Sequence, residues 1–184
     1  MPDLIDYSFL SDLEGGRRTK AYVPASETSK SGVTVATGFD LGQHSEHDLK
    51  RLGLSSTLIV KLKPYLGLKK EKATELLDKS PLTVTASEAE IIDKAVKSAH
   101  LAAIKLKYDT ASSEKSFLDL PAEAQTVIAS VSFQYGKNLD AVLPKFWSLV
   151  VKQDWEATVK LLNNFGDKYH TRRRKEAALL DKVK

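Results

Sequence analysis

Glu14-Gly15-Gly16, then Arg17 to Pro24, a Ser/Thr/Lys loop from Ala25 to Ser31, and Gly32-Val33-Thr34-Val35-Ala36-Thr37-Gly38-Phe39-Asp40-Leu41-Gly42 form the stretch that decides the fold. Upstream of it, Ile5, Phe9 and Leu13 recur at i+4 with Leu10 beside them, which predicts an amphipathic helix starting near Asp3. Gly15-Gly16 ends that helix and leaves Glu14 in its last turn, where the negative end of the helix dipole opposes a carboxylate. Stability alone would favour a lysine there, and a surface glutamate at a frayed end is the ordinary alternative. Downstream, Arg17 to Pro24 interleaves polar residues with Tyr22 and Val23, and Val33 to Thr37 is β-branched and alternating, so the segment reads as an irregular hairpin or three-strand ribbon. Gly38 and Gly42 bracket Phe39-Asp40-Leu41 and allow sharp turns and a close approach of backbone.

From Ser45 onward the pattern is helical. Ser45 with Asp48 caps a short helix ending at Gly53, Ser55 or Ser56 opens the next as far as Pro64, and Lys69 to Lys79 makes a third. The longest candidate runs from about Ser87 to Tyr108, with Ile91, Ile92, Ala95, Ala99, Ala102, Ala103 and Leu106 as its expected buried side. Leu120-Pro121-Ala122-Glu123 starts another, ending at Gly136, and Phe146, Trp147, Leu149, Val150 and Trp155 mark a strongly apolar pair of helices. A small β-rich section followed by about seven helices is an α+β arrangement, in which a cleft between a β lobe and a larger helical lobe is the natural site. The expected organisation is a single domain over residues 1–184, with a β-containing lobe at about 15–80 and a helical lobe from about 1–14 and 85–184.

Composition narrows the chemistry. A chain of 184 residues buries roughly 70% of its unfolded surface, and 42% hydrophobic with 28% charged residues is ordinary for a globular protein. The absence of cysteine excludes disulfides, thiolate metal sites and a cysteine nucleophile. His44, His47, His100 and His170 show no metal-ligand spacing, so no metal is expected, and neither GxSxG nor a phosphate-binding glycine loop is present. The acidic start Met1-Pro2-Asp3-Leu4-Ile5-Asp6 does not read as a secretion signal, and no apolar run reaches the ~18 residues that span a bilayer. Thr171 to Lys184 carries six basic residues against two acidic ones, enough to hold the whole net charge of +4. Without interleaved aromatics this tail does not predict nucleic-acid binding; a surface for an anionic envelope and a plain solvated face both fit it.

Glu14, Thr34 and Asp40 are the chemical candidates. Two carboxyls that enter one cleft from different local structures can differ in environment, so one can act as acid while the other stays ionised. Cleavage of a glycosidic bond needs such a pair. A free glutamate has a pKa of about 4.3, so an acid role demands burial, a helix C-terminus or a like charge, and Glu14 already has one of these. Spacing alone does not bring the three together, and Glu27 is the only other acidic residue between Glu14 and Asp40.

Glu14-Gly15, the strand with Thr34, Ser132-Phe133-Gln134-Tyr135-Gly136, Trp147, Asp154-Trp155 and Arg172-Arg173-x-x-Glu176 occur in an order that resembles the phage-type lysozyme superfamily over nearly the whole chain. The resemblance implies a lysozyme-like α+β fold with Glu14 as the catalytic acid ending the first helix. T-even phage lysozymes carry the second carboxylate eight or nine residues after that glutamate, where this chain has Tyr22 and Val23. An aspartate six residues after the threonine, as Asp40 follows Thr34, is instead similar to the muramidase domain of pesticin and its phage homologues. Asp40 is then the second carboxylate and Thr34 the residue that orients water. Tyr22 and Thr37 would touch substrate, Thr37 as a neighbour of Thr34 on the same strand. Phe133 would line the sugar groove, and Gln134 and Arg172 would support Glu14.

What the resemblance implies is a monomeric, cofactor-free muramidase acting on peptidoglycan. A lytic transglycosylase and a non-catalytic wall-binding module of a toxin or effector are the competing readings. The expected setting is that of a phage endolysin held in the host cytoplasm until a holin releases it to the cell wall.

Overall fold

In a computed structural model, which describes residues 2–13, 18–24 and 31–183, the first helix starts later than its apolar stripe suggests. Helix α1 spans Tyr7–Leu13. Asp6 serves its first turn, accepting from the Phe9 N–H at 2.9 Å. Asp3, the expected cap, is instead paired with Lys105 at 2.6 Å. The preceding residues run non-helically along helix α6 (Ala122–Tyr135), where the Leu4 and Asp6 N–H groups donate to Gln125 Oε1 at 3.0 Å and Thr126 Oγ1 at 2.9 Å. A local capping rule yields here to long-range partners that satisfy the same backbone donors.

Two compact units divide the chain, Gly15–Ala99 and Met1–Glu14 with His100–Lys184. The first holds a three-stranded antiparallel sheet in the order β1 (Arg18–Tyr22), β2 (Thr34–Ala36), β3 (Phe39–Asp40), as the alternation predicted. Helices α2 (Glu46–Arg51), α3 (Ser56–Leu62) and α4 (Lys70–Lys79) follow. Ser45 and Asp48 form the expected capping box, and Ser55 rather than Ser56 caps α3. Val33, Val35, Phe39, Leu41, Leu49, Leu62, Ala73 and Ile92 form the centre of this unit's core.

Helix α5 (Ala86–Ala111) belongs to both units, ending its first share at Ala99. Its buried stripe is Ala89, Ile92, Asp93, Leu101, Ile104 and Tyr108, which corrects the expected face: Ile91 is 49% and Leu106 70% exposed. Apolar residues lie on several sides of this helix, so periodicity did not select one stripe, and the packed side includes a carboxylate that no hydrophobic pattern would choose.

In the second unit every residue of α6 from Ala124 to Ser132 is buried, the position of a helix surrounded by others. Around it stand α7 (Leu139–Val142), α8 (Pro144–Val151), α9 (Trp155–Asn163) and α10 (His170–Leu180), with Leu10, Ile104, Tyr108, Phe117, Phe146 and Leu180 in the core. Among the described residues nine α-helices follow the sheet, against about seven expected. The short α7 and the charged α10 were the ones the pattern did not separate. The buried positions of α10 are Arg173, Glu176, Ala177 and Leu180, a helical stripe in which half the members are charged.

Candidate functional site

Register aligns three candidates in one row. Tyr22 pairs with Thr34 across β1 and β2, and Thr34 pairs with Asp40 across β2 and β3. Directly opposed residues of antiparallel strands project to the same face, so Tyr22, Thr34 and Asp40 share one side of the sheet. Thr34 is 3% exposed and its hydroxyl donates to the Gly32 carbonyl at 3.2 Å, leaving its oxygen to accept. The Arg18 guanidinium lies 4.4 Å from the centre of the Tyr22 ring.

Among the described residues, the Asp40 carboxylate is held by backbone N–H groups. Its Oδ1 accepts from the Gly32 N–H at 2.9 Å and the Gly42 N–H at 2.8 Å, and no described residue donates to Oδ2. The His44 ring nitrogen Nδ1 donates to the Asp40 carbonyl at 2.8 Å, which adds a tether to the same residue. The two glycines are required by proximity. A Cβ on Gly42 would lie 2.4 Å from the Leu68 carbonyl oxygen and 2.7 Å from the Gly32 Cα, and one on Gly32 would lie 2.1 Å from the same oxygen. Only backbone without a side chain lets both amides reach one carboxylate oxygen.

Thr37 sits in the turn after β2 rather than on the strand with Thr34. Its N–H and hydroxyl both donate to Asp93 of α5, at 3.0 and 2.8 Å. The hydroxyl expected to meet substrate is therefore committed to the protein. Asp93 was not among the sequence candidates; in Glu90-Ile91-Ile92-Asp93-Lys94 it is one of three charged residues, and only its neighbour Ile92 shares its buried side.

In the helical unit, Phe133 is half-buried and its ring centre lies 5.1 Å from that of His100. His100 contacts the Ser132 hydroxyl at 3.0 Å, and burial, followed by the charge of Lys137, pushes its pKa down. Gln134 was expected beside Glu14; its side-chain oxygen accepts from Arg173. Arg172 donates to the Ser130 carbonyl at 2.9 Å, to Glu176 Oε1 at 3.1 Å and, at 3.5 Å, to the carbonyl of Leu13, the residue before Glu14. Glu14 itself, with Glu27, lies outside the described residues. Among the described residues no group of three His, Cys, Asp or Glu side chains is arranged to hold a metal ion.

The basic tail is corrected in the same place. Arg173 is 1% exposed and paired with Glu176 and Asp167, and its guanidinium lies 4.6 Å from the centre of the Phe165 ring. Glu176 is fully buried and accepts from the Ser130 hydroxyl at 2.5 Å. Of the tail arginines, Arg173 is thus an interior group and Arg172 is partly buried, and among the described tail cations Arg174, Lys175 and Lys182 face solvent.

A helical unit in which Arg172 of α10 reaches the end of α1, and a small sheet that lines up Thr34 with Asp40, agree with the expected α+β lysozyme-like fold. No curated protein matches the chain. A family model described as "Pesticin: Bacterial toxin homologue of phage lysozyme, C-term" matches residues 4–156, more than half of the sequence. The chain belongs to the pesticin family of bacterial toxin homologues of phage lysozyme.

Proposed function

We propose that this protein is a peptidoglycan muramidase that hydrolyses the β-1,4 bond between N-acetylmuramic acid and N-acetylglucosamine. The observation that carries this reading is the Thr34–Asp40 pair: one oxygen of Asp40 is fixed by two backbone N–H groups while the other receives no hydrogen bond from the described residues. A carboxylate so oriented can take a proton from water without searching rotamers. In the reaction, Glu14 gives its proton to the glycosidic oxygen as the bond to the anomeric carbon breaks. Water, polarised by Asp40 and by the Thr34 oxygen, attacks that carbon, and its proton passes to Asp40. Family membership supports a lysozyme-type activity on the cell wall, and the contact of Arg172 with the Leu13 carbonyl puts a cation at the end of α1.

Digestion of purified sacculi followed by mass spectrometry of the released muropeptides tests the proposal. Reducing muramic ends are expected, and Glu14→Gln should abolish their release in a protein that still folds. A 1,6-anhydro product would replace hydrolysis by transglycosylation, and binding to sacculi without release would leave a wall-binding module.

A further inference from the structure

The loop between β2 and β3 is strained. Val35 pairs with Phe39, so Ala36, Thr37 and Gly38 make the whole connection. Ala36 has φ +52° and Gly38 φ +96°, and Ala36 is buried. A left-handed alanine persists only where its surroundings over-determine it. Asp93 is a buried carboxylate in α5, and its two oxygens receive the Thr37 N–H and hydroxyl, the residue between the two left-handed positions. A carboxylate inside a packed helix face is costly unless donors compensate it, and two of its donors come from the loop that sets Thr34 opposite Asp40.

We propose that Asp93 is a positioning residue for the reaction: by clamping Thr37 it holds the strained loop that fixes the Thr34–Asp40 pair. This rests on the muramidase reading, since it is the turnover of that pair that Asp93 serves. Loss of the clamp leaves the substrate-binding surface in place while the carboxylate and the threonine drift relative to one another, so turnover falls and affinity does not.

The test measures kcat and KM on solubilised glycan chains from sacculi. For Asp93→Ala the expected kcat is about 10- to 100-fold lower with KM changed less than about twofold, the scale on which small misplacements act. Asp93→Asn should restore most of the rate, because an amide can accept from the Thr37 N–H and donate to its hydroxyl oxygen. Thr37→Val, which removes only the hydroxyl and remains informative where Asp93→Ala fails to fold, should lower kcat by a smaller factor. The double variant Asp93→Ala/Thr37→Val should be no slower than Asp93→Ala, as for two members of one contact. Faster hydrogen exchange of the Gly38 N–H, bonded to the Val35 carbonyl at 3.2 Å, should accompany the loss. The idea is overturned by a folded Asp93→Ala with parental kcat, by an effect confined to KM, or by an Asp93→Asn as slow as the alanine variant. An active Asp40→Asn would instead remove the catalytic reading of Asp40, and the Gly38 exchange rate would then decide the clamp by itself.

Discussion

Asp40 and Glu176 are both carboxylates fixed in place, and the molecule fixes them in opposite ways. Glu176 is fully buried and both its oxygens are occupied, Oε1 by the Ser130 hydroxyl and Arg172, Oε2 by Arg173. Asp40 is partly exposed and, among the described residues, receives its donors on one oxygen, from two backbone amides. Side-chain cations neutralise a carboxylate and use it up. Backbone amides orient it and leave the second oxygen for chemistry. One arrangement makes an interior joint and the other leaves an oxygen for the role proposed for Asp40, so a carboxylate in this chain is read by what holds it rather than by its residue type.

The largest effect separates the two directly. Asp40→Ala should lower hydrolysis of sacculi by about 10²- to 10⁴-fold, the range expected for a lost acid–base group, with about 1–3 kcal/mol of stability lost as the Gly32 and Gly42 N–H groups lose their acceptor. A mild effect would move the role to Thr34 or Glu27. Glu176→Gln should do the reverse. Taking the charge from a buried pair costs about 3–5 kcal/mol by leaving its cations uncompensated, measurable by urea unfolding, while activity per folded molecule stays near the parent's. Equal losses of activity in the two variants would break the comparison. By the same reasoning, a chain ending before His170 should fail to fold, because it lacks Arg173, Glu176, Ala177 and Leu180.

Gly42→Ala tests the backbone cradle. A Cβ there meets the Leu68 carbonyl and the Gly32 Cα, so about 1–3 kcal/mol of stability should go together with a loss of rate as the Gly42 N–H leaves Asp40. The smallest effect concerns pH. Burial raises the pKa of Asp167, but the Tyr135 hydroxyl, Arg173 and the Tyr169 N–H outweigh it and hold the carboxyl below its usual range. A depressed folded value means the unfolded chain binds the proton first. The contribution is therefore present above about pH 4 and lost as pH falls towards the depressed value. Acid unfolding of Asp167→Asn should show a shallower decline with falling pH than the parent, and an unchanged slope would remove Asp167 from the arginine cluster's energetics.

The legible parts of the fold were those set by local chemistry. Ser45 with Asp48 announced a capping box, Val33 to Thr37 announced a strand, and Pro121 preceded α6 as expected. Asp3 misled because its long-range partner Lys105 outweighs a cap, and the partner of Thr37 was not legible because it stands on α5, 56 residues away in sequence. Arg173 was counted only with the basic tail, since nothing in a run of basic residues reveals that the buried Glu176 and the partly buried Asp167 receive it.

By itself the sequence determined the α+β order, the short sheet, the helices with regular apolar stripes and the candidates Glu14, Thr34 and Asp40. These follow from periodicity, capping and turn residues, whose energetics act over a few neighbours. Only the tertiary structure decided that Tyr22, Thr34 and Asp40 form one row, that Gly32 and Gly42 close on Asp40, that Asp93 grips Thr37, and that α10 buries Arg173 and Glu176. Each of these depends on which distant groups meet once the chain has collapsed. A buried charge or a touching pair of glycines has no local signature, because its energy is set by the partner rather than by its place in the sequence.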